Sequence, residues 1–212
     1  RDATQNAQRA RALLDAVVMG SDQPRRQARI DLAEFYIGHR FAPEALAQLR
    51  ILAEEDPAIS RDPGFIVLWR AGQVLAGRAA KAREALMRSE VAEIPDAALW
   101  RTIAANDLGK WDEARESALR ATSVLGAYPK TIQAMFNIAA AESAIELNDL
   151  GLAQTRLAEI EPEILDRDLA GRFEIAQARL ADLAGRPEDA VARFERAAAT
   201  GDRRVQADAE YH

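Results

Sequence analysis

The chain has 212 residues, a formal net charge of −6 and no cysteine. The acidic balance and the lack of a basic stripe argue against nucleic acid as a partner, because phosphate binding depends on Lys and Arg. Without Cys there is no disulfide, thiolate nucleophile or Cys-ligated zinc. That absence fits a reducing cytosol and a disulfide-free periplasm equally well, so the compartment stays open.

The composition favours helix almost throughout, with 46 Ala against 11 Gly and 8 Pro. The excess of Arg over Lys, together with the abundant Ala, is typical of a GC-rich bacterial gene. No apolar run approaches the length that spans a bilayer, so we expect no membrane insertion by this segment. The chain begins without Met and stops inside a helical pattern. We therefore expect it to be a piece of a longer protein.

Helical periodicity, capping residues and breakers predict twelve helices. Helix starts are marked by Ser21 and Asp22, by Asp62, by Asp96, and by Asp166 or Asp168, each beside an apolar helical pattern. The predicted helices cover about 3–19, 24–38, 43–55, 63–76, 79–90, 95–107, 111–124, 129–147, 150–160, 168–184, 187–199 and 202–212.

The stretch 183–199, LAGRPEDAVARFERAAA, contains the clearest turn and helix. Gly185 suits the positive φ that ends a helix, and Pro187 suits the first turn of the next one. Ala190, Val191, Phe194, Ala197 and Ala198 then recur with helical period on one face. The same turn-plus-Ala pattern occurs four more times. Its closing alanines, Ala45, Ala82, Ala114, Ala153 and Ala190, are 37, 32, 39 and 37 residues apart.

Two helices per unit at this period indicate a helical-hairpin array. The units cover about 24–57, 63–91, 95–126, 129–162 and 166–200. The first unit has Leu32 and Ala33 as a large and small pair, then Tyr36, Ala45 and Leu49, followed by Pro57. In this pattern the chain resembles the tetratricopeptide repeat family. The last unit fits at Ala178, Ala190, Phe194 and Ala197, although Ala181 stands where the family has an aromatic residue.

The resemblance implies an all-α fold, a right-handed α-α superhelix of about five hairpins plus flanking helices, forming a single domain over 1–212. The implied function is a non-enzymatic scaffold that binds a protein or peptide segment in a concave groove lined by first helices. We transfer the family's groove positions to this sequence by aligning each repeat on its closing Ala. They fall on Ile30, Asp31, Glu34, Ile37, Asp96, Leu99, Trp100, Ile103, Asp107, Ile138, Glu142, Glu146 and Arg179. Arg172 and Ile175 fall in the same set.

A groove that mixes apolar side chains with carboxylates favours an apolar, basic partner segment. A register error of one residue would instead place Leu99, Ile103 and Ile175 in the core. Trp69 and Trp111 are expected to be core residues.

Catalytic and cofactor chemistry is not indicated. His39 lies in a turn and His212 at the end of the chain, and neither has a metal-ligand partner at suitable spacing. The carboxylates of Glu54, Glu55 and Asp56 are adjacent in sequence and are expected to be solvated. The glycines do not form a phosphate-binding loop. We therefore predict no metal and no cofactor.

Two other functions stay open from the sequence. The chain could be the helical shell of a larger enzyme, such as a peptidoglycan lyase, whose catalytic domain lies outside it. It could also be a homo-oligomerisation module. The predicted helix at 202–212 lacks its hairpin partner, so it should fray or associate with a second copy.

Overall fold

The computed structural model describes residues 2–200, and that range contains eleven α-helices, two short 3-10 helices and no strand. The all-α prediction is therefore confirmed for these residues, while the predicted helix at 202–212 lies outside them. The 3-10 helices are Pro57–Arg61 and Pro162–Ile164. The α-helices are α1 (Asp2–Met19), α2 (Asp22–Gly38), α3 (Ala42–Glu55), α4 (Pro63–Leu75), α5 (Ala79–Leu86), α6 (Pro95–Asn106), α7 (Trp111–Leu125), α8 (Lys130–Glu146), α9 (Leu150–Ala158), α10 (Arg167–Leu183) and α11 (Pro187–Ala199).

Among the described residues, three aspartates cap starts of α-helices through their side chains. A carboxylate oxygen of Asp62 accepts a hydrogen bond from the Phe65 N–H at 2.9 Å, and Asp166 accepts one from Leu169 at 3.0 Å. Asp149 does the same for the start of α9, with the Leu152 N–H at 3.2 Å. Each bond satisfies one of the backbone donors that a helix leaves unpaired at its first turn. Of the two candidates for α10, Asp166 is thus the cap.

The turn between the two helices has the same geometry in all five hairpins. One residue takes φ between +57° and +72°, and it lies five positions before the closing Ala. The next residue donates its N–H to a carbonyl five residues earlier, at 2.8–2.9 Å. This is the Schellman arrangement, which pairs the last carbonyls of a helix. The positive-φ residues are Arg40, Gly77, Gly109, Asn148 and Gly185.

The closing alanines are buried. Ala45, Ala82, Ala114 and Ala153 are 0% exposed, and Ala190 is 3% exposed. A methyl group at these positions lets the second helix of a hairpin approach the first closely, and any larger side chain would have to displace a neighbouring helix. Each of the five repeats therefore combines the same positive-φ turn with a small buried residue five positions later.

The chain is divided into two compact units, with the boundary between Trp100 and Arg101. In the first unit each helix from α1 to α5 packs on its neighbour in sequence, and α2 also packs on α4. The core includes Leu32 and Leu86. A cluster of Ala33, Leu49 and Leu52 also contains a residue of the first 3-10 helix, Ile59, and one of α4, Phe65. Trp69 is partly buried against this cluster.

In the second unit α8 is buried on several sides. It packs on α7, α9 and α10, and α10 packs on α9 and α11. Phe136, Ile132 and Ile138 of α8 are fully buried, as is Leu169 of α10. The Arg101 side chain of α6 donates a hydrogen bond to the Ser117 hydroxyl of α7 at 2.8 Å, so that a buried guanidinium has a polar partner.

Helix α5 is shorter than the sequence predicts. The prediction extends it to residue 90, but it ends at Leu86, and 88–94 form turns in which Val91 N–H bonds to Arg88 and Ile94 N–H to Val91. Val91 is only 1% exposed, so the bend buries an apolar side chain that a continued helix would direct elsewhere. Tertiary burial overrides the helix propensity of this stretch.

We expect Gly185→Ala to lower the free energy of unfolding by about 1 kcal/mol, because an added Cβ disfavours positive φ. Gly185 has φ +71°, and a Cβ there would meet no atom within 4 Å, so the effect isolates backbone strain. Gly151→Ala is the matched control: it also opens into free space but lies within α9. That control should raise stability by about 0.5–1 kcal/mol. Chemical denaturation that gave shifts of the same sign would contradict the shared turn geometry.

Candidate functional site

Apart from the half-buried Ile30, the apolar members of the predicted groove lie in the core, which leaves them little surface for a partner. Leu99 and Ile103 are 0% exposed, Trp100 is 1%, Ile138 is 0% and Ile37 is 4%. Ile175, at 9%, is also buried. Helices packed on several sides bury more than one face, so an apolar position carried over by spacing alone falls inside.

The polar members of the predicted groove keep access to solvent. The side chains of Glu142 and Arg179 are 22% and 24% exposed, and those of Glu146 and Asp107 are 31% and 33% exposed. Asp96 is half-buried, as are Ile30 and Asp31, while Glu34 is exposed. The polar half of the predicted site therefore lies at the surface, and its charges decide what the site can do.

A hydrogen-bonded ion pair joins α8 to α10. Arg172 donates through Nε to one oxygen of Glu142 at 3.1 Å and through a terminal nitrogen to the other at 2.6 Å, with Asp107 at 3.9 Å. Burial by itself would lower the pKa of Arg172, but the charge and hydrogen bonds of Glu142, with Asp107 and Asp168, raise it above its ordinary value. Such a two-point contact fixes orientation as well as charge.

Two further residues that the sequence reasoning missed complete this network. Asn106 at the end of α6 donates its amide to Glu142 at 2.6 Å and accepts from the Ser143 hydroxyl at 2.9 Å. Asn106 is 5% exposed and Ser143 is 0% exposed. These partners are 36 and 37 residues apart in sequence. The repeat period was the only sequence signal that could have paired them.

A second ion pair follows the first along the same two helices, between Arg179 and Glu146 at 2.7 Å. The carboxylates of the predicted groove in this unit are thus compensated by arginines of α10. Glu142 and Glu146 therefore add little uncompensated negative charge to the predicted groove, because each is paired with an arginine of the protein. Glu142 is a structural residue and is poorly placed to attract a basic partner.

The predicted groove also includes two carboxylates on α2, in the first compact unit, that no basic side chain of the described residues compensates. Asp31 accepts a hydrogen bond from the Gln27 amide at 2.7 Å, and among the described residues neither Asp31 nor Glu34 has a basic partner. Partial desolvation and then the charge of Asp31 raise the pKa of Glu34. Together with the half-buried Ile30, we call Asp31 and Glu34 the α2 acidic surface.

We expect Glu34→Gln to raise the melting temperature at pH 7 and to leave it unchanged well below pH 4.5. The pKa of Glu34 is raised from 4.5 on folding. Its carboxylate is therefore disfavoured in the folded state, and the destabilisation grows as the pH rises from 4.5 through the folded pKa. Thermal melts of both proteins across this range test the sign. A lower melting temperature for the variant at pH 7 would show that Glu34 stabilises the fold.

His39, in the turn after α2, packs against aromatic side chains. Its ring lies 4.1 Å from that of Phe35, centroid to centroid, and 6.3 Å from that of Phe41. One ring nitrogen, Nδ1, is 2.8 Å from the Phe35 carbonyl. Trp111, predicted to be a core residue, is half-buried.

Residues 2–200 contain no cluster of three or more His, Asp or Glu side chains that could hold a metal ion. Within the same range, none of the helices is both long and apolar enough to cross a bilayer. Comparison of the chain with protein-family models and with curated proteins gave no match in either case.

Proposed function

We propose that the chain is a non-enzymatic helical-repeat scaffold that binds a basic, partly apolar segment of another protein at the α2 acidic surface. The observation that carries the proposal is the pair of accessible carboxylates at Asp31 and Glu34, which lack a basic partner among residues 2–200. Desolvation and then the charge of Asp31 raise the pKa of Glu34, and a Lys or Arg from a partner would relieve the second of these causes, the mutual repulsion of the two carboxylates.

The proposal extends to the fold, as a right-handed tetratricopeptide-like solenoid. The five identical turns with their buried closing alanines support it, and so does the packing of α2 on α4 and of α8 on α10. Contact between successive first helices is what such arrays require, because each hairpin is too thin to bury its apolar faces alone. Within each compact unit, the first helices then share a surface on which a partner segment can lie.

The experiment begins with peptides selected from a phage-displayed library for binding to the chain. We expect them to be enriched in Lys and Arg next to Ile or Leu. Asp31→Lys combined with Glu34→Lys should weaken a selected peptide about tenfold or more and slow its association. Added salt should weaken the wild-type complex. Calorimetry and stopped-flow fluorescence measure these effects.

The matched control is Glu54→Lys, which reverses an exposed carboxylate of α3 in the same unit. It should leave the affinity within about twofold, since rim charges away from the contact contribute little. Selected peptides that lack basic residues, or that bind the double variant as well as the wild type, would contradict the proposal.

A further inference from the structure

The second compact unit contains a pocket whose lining includes basic side chains, in contrast to the carboxylates of the α2 acidic surface. Its cavity measures about 210 Å³ and lies among α9, α10 and α11. Leu157, Ala158 and Leu180 supply its apolar lining. Gln154, Gln177, Arg186 and Arg193 supply the polar lining. A cavity of this volume is smaller than the roughly 300–1,000 Å³ of small-molecule sites, so it suits a single side chain of a larger partner.

Each of the two arginines that line this pocket has a carboxylate partner, and a third arginine beside the pocket, Arg196, shares one of these carboxylates. Arg193 and Arg196 both donate to a single oxygen of Glu174, at 3.3 and 3.2 Å. Arg186 pairs with Asp189 at 3.1 Å, in a contact whose two side chains are 58% and 59% exposed. Exposed pairs of this kind are weak and exchange partners easily. Three guanidinium groups therefore share two carboxylates, and a further carboxylate would find donors in place.

The two glutamines favour a peptide over a simple fatty acid. Neither the Gln154 nor the Gln177 amide has a hydrogen-bond partner among the described residues. A primary amide both donates and accepts, so a pair of them matches the N–H and C=O groups of an extended main chain. A hydrocarbon chain would leave both amides without partners on binding.

We propose that this pocket binds an acidic peptide segment, with one Leu- or Phe-sized side chain in the cavity and an adjacent Asp or Glu carboxylate on Arg186 and Arg193. The site is separate from the α2 acidic surface and selects the opposite charge, so it stands or falls independently of the proposed function. It would give the chain two docking sites for segments of different composition.

The test uses a fluorescein-labelled hexapeptide, Gly-Asp-Leu-Phe-Glu-Gly, and its neutral twin, Gly-Asn-Leu-Phe-Gln-Gly, in anisotropy titrations with the full chain. We expect saturable binding of the acidic peptide with Kd below about 1 mM, and at least about tenfold weaker binding of the twin. Arg186→Gln combined with Arg193→Gln should weaken the acidic peptide by about tenfold or more. Ala158→Trp, at an exposed position of the lining, should fill the cavity and abolish binding.

Arg120→Gln is the control, an exposed arginine of α7 in the same unit, and it should bind the acidic peptide like the wild type. Absence of saturable binding, equal binding of the neutral twin, or binding that survives Ala158→Trp would each overturn the proposal. Competition by decanoate as strong as by the peptide would assign the pocket to an amphiphile instead. Self-association abolished by Ala158→Trp would assign it to a second copy. Either assignment would also overturn the proposal.

Discussion

Ala114→Arg is expected to lower the free energy of unfolding by about 3 kcal/mol or more, because it overpacks a helix crossing and buries a charge without a partner. Ala114 is 0% exposed and lies five residues after the positive-φ Gly109. Ala190→Arg, at the equivalent position of the last hairpin and 3% exposed, should have a similar effect. Urea denaturation followed by circular dichroism measures both values.

The control for these two variants is Glu195→Arg, on an exposed position of α11. It should change stability by no more than about 0.5 kcal/mol, as surface substitutions usually do. If the three variants unfolded at the same urea concentration, the closing alanines would not be the contact points of the hairpins. The alignment of the five hairpins on their closing alanines would then be wrong.

Arg172→Met is expected to lower the free energy of unfolding by about 2–3 kcal/mol, because it leaves the Glu142 carboxylate without its cation. The two side chains of the pair are each only 22% exposed, so water compensates poorly for the lost partner. Adding Glu142→Gln to this variant should recover part of the loss. Gln can still accept the Asn106 hydrogen bond, and no uncompensated charge remains at that position.

A double-mutant cycle on Arg172 and Glu142 therefore separates the ion pair from simple packing. Glu116→Gln is the comparison, since it removes one member of an exposed pair with Arg120 whose carboxylate side chain is 69% exposed. That change should stay within about 0.5 kcal/mol. A double variant less stable than Arg172→Met alone would show that Glu142 stabilises the fold by means other than its charge pairing.

Local chemistry explains why the helices and turns could be predicted from the sequence. Asp62 and Asp166 act as caps, and Gly185 takes the positive φ that the turn requires. These features depend on residues a few positions apart, so the sequence displays them directly. The exception is α5, where burial of Val91 by the following turn shortened the helix.

The candidate site was predicted less well because it depends on packing between helices. A shift of one residue rotates a helical position by about 100°, which is enough to move Trp100 and Ile103 from a groove into the core. Pairing of Glu142 with Arg172 depends on side chains 30 residues apart, and no local pattern identifies it. The sequence could place Asp31 and Glu34 on one surface because they lie three residues apart on a single helix.

Hydrogen exchange of the chain, with and without a selected basic peptide, tests the proposed function most directly. We expect the peptide to slow exchange of amides in 27–38 of α2, and this protection to disappear when Asp31 and Glu34 are both changed to Lys. Protection confined to α3 and α5, or protection of α2 that survives the double substitution, would contradict binding at the α2 acidic surface.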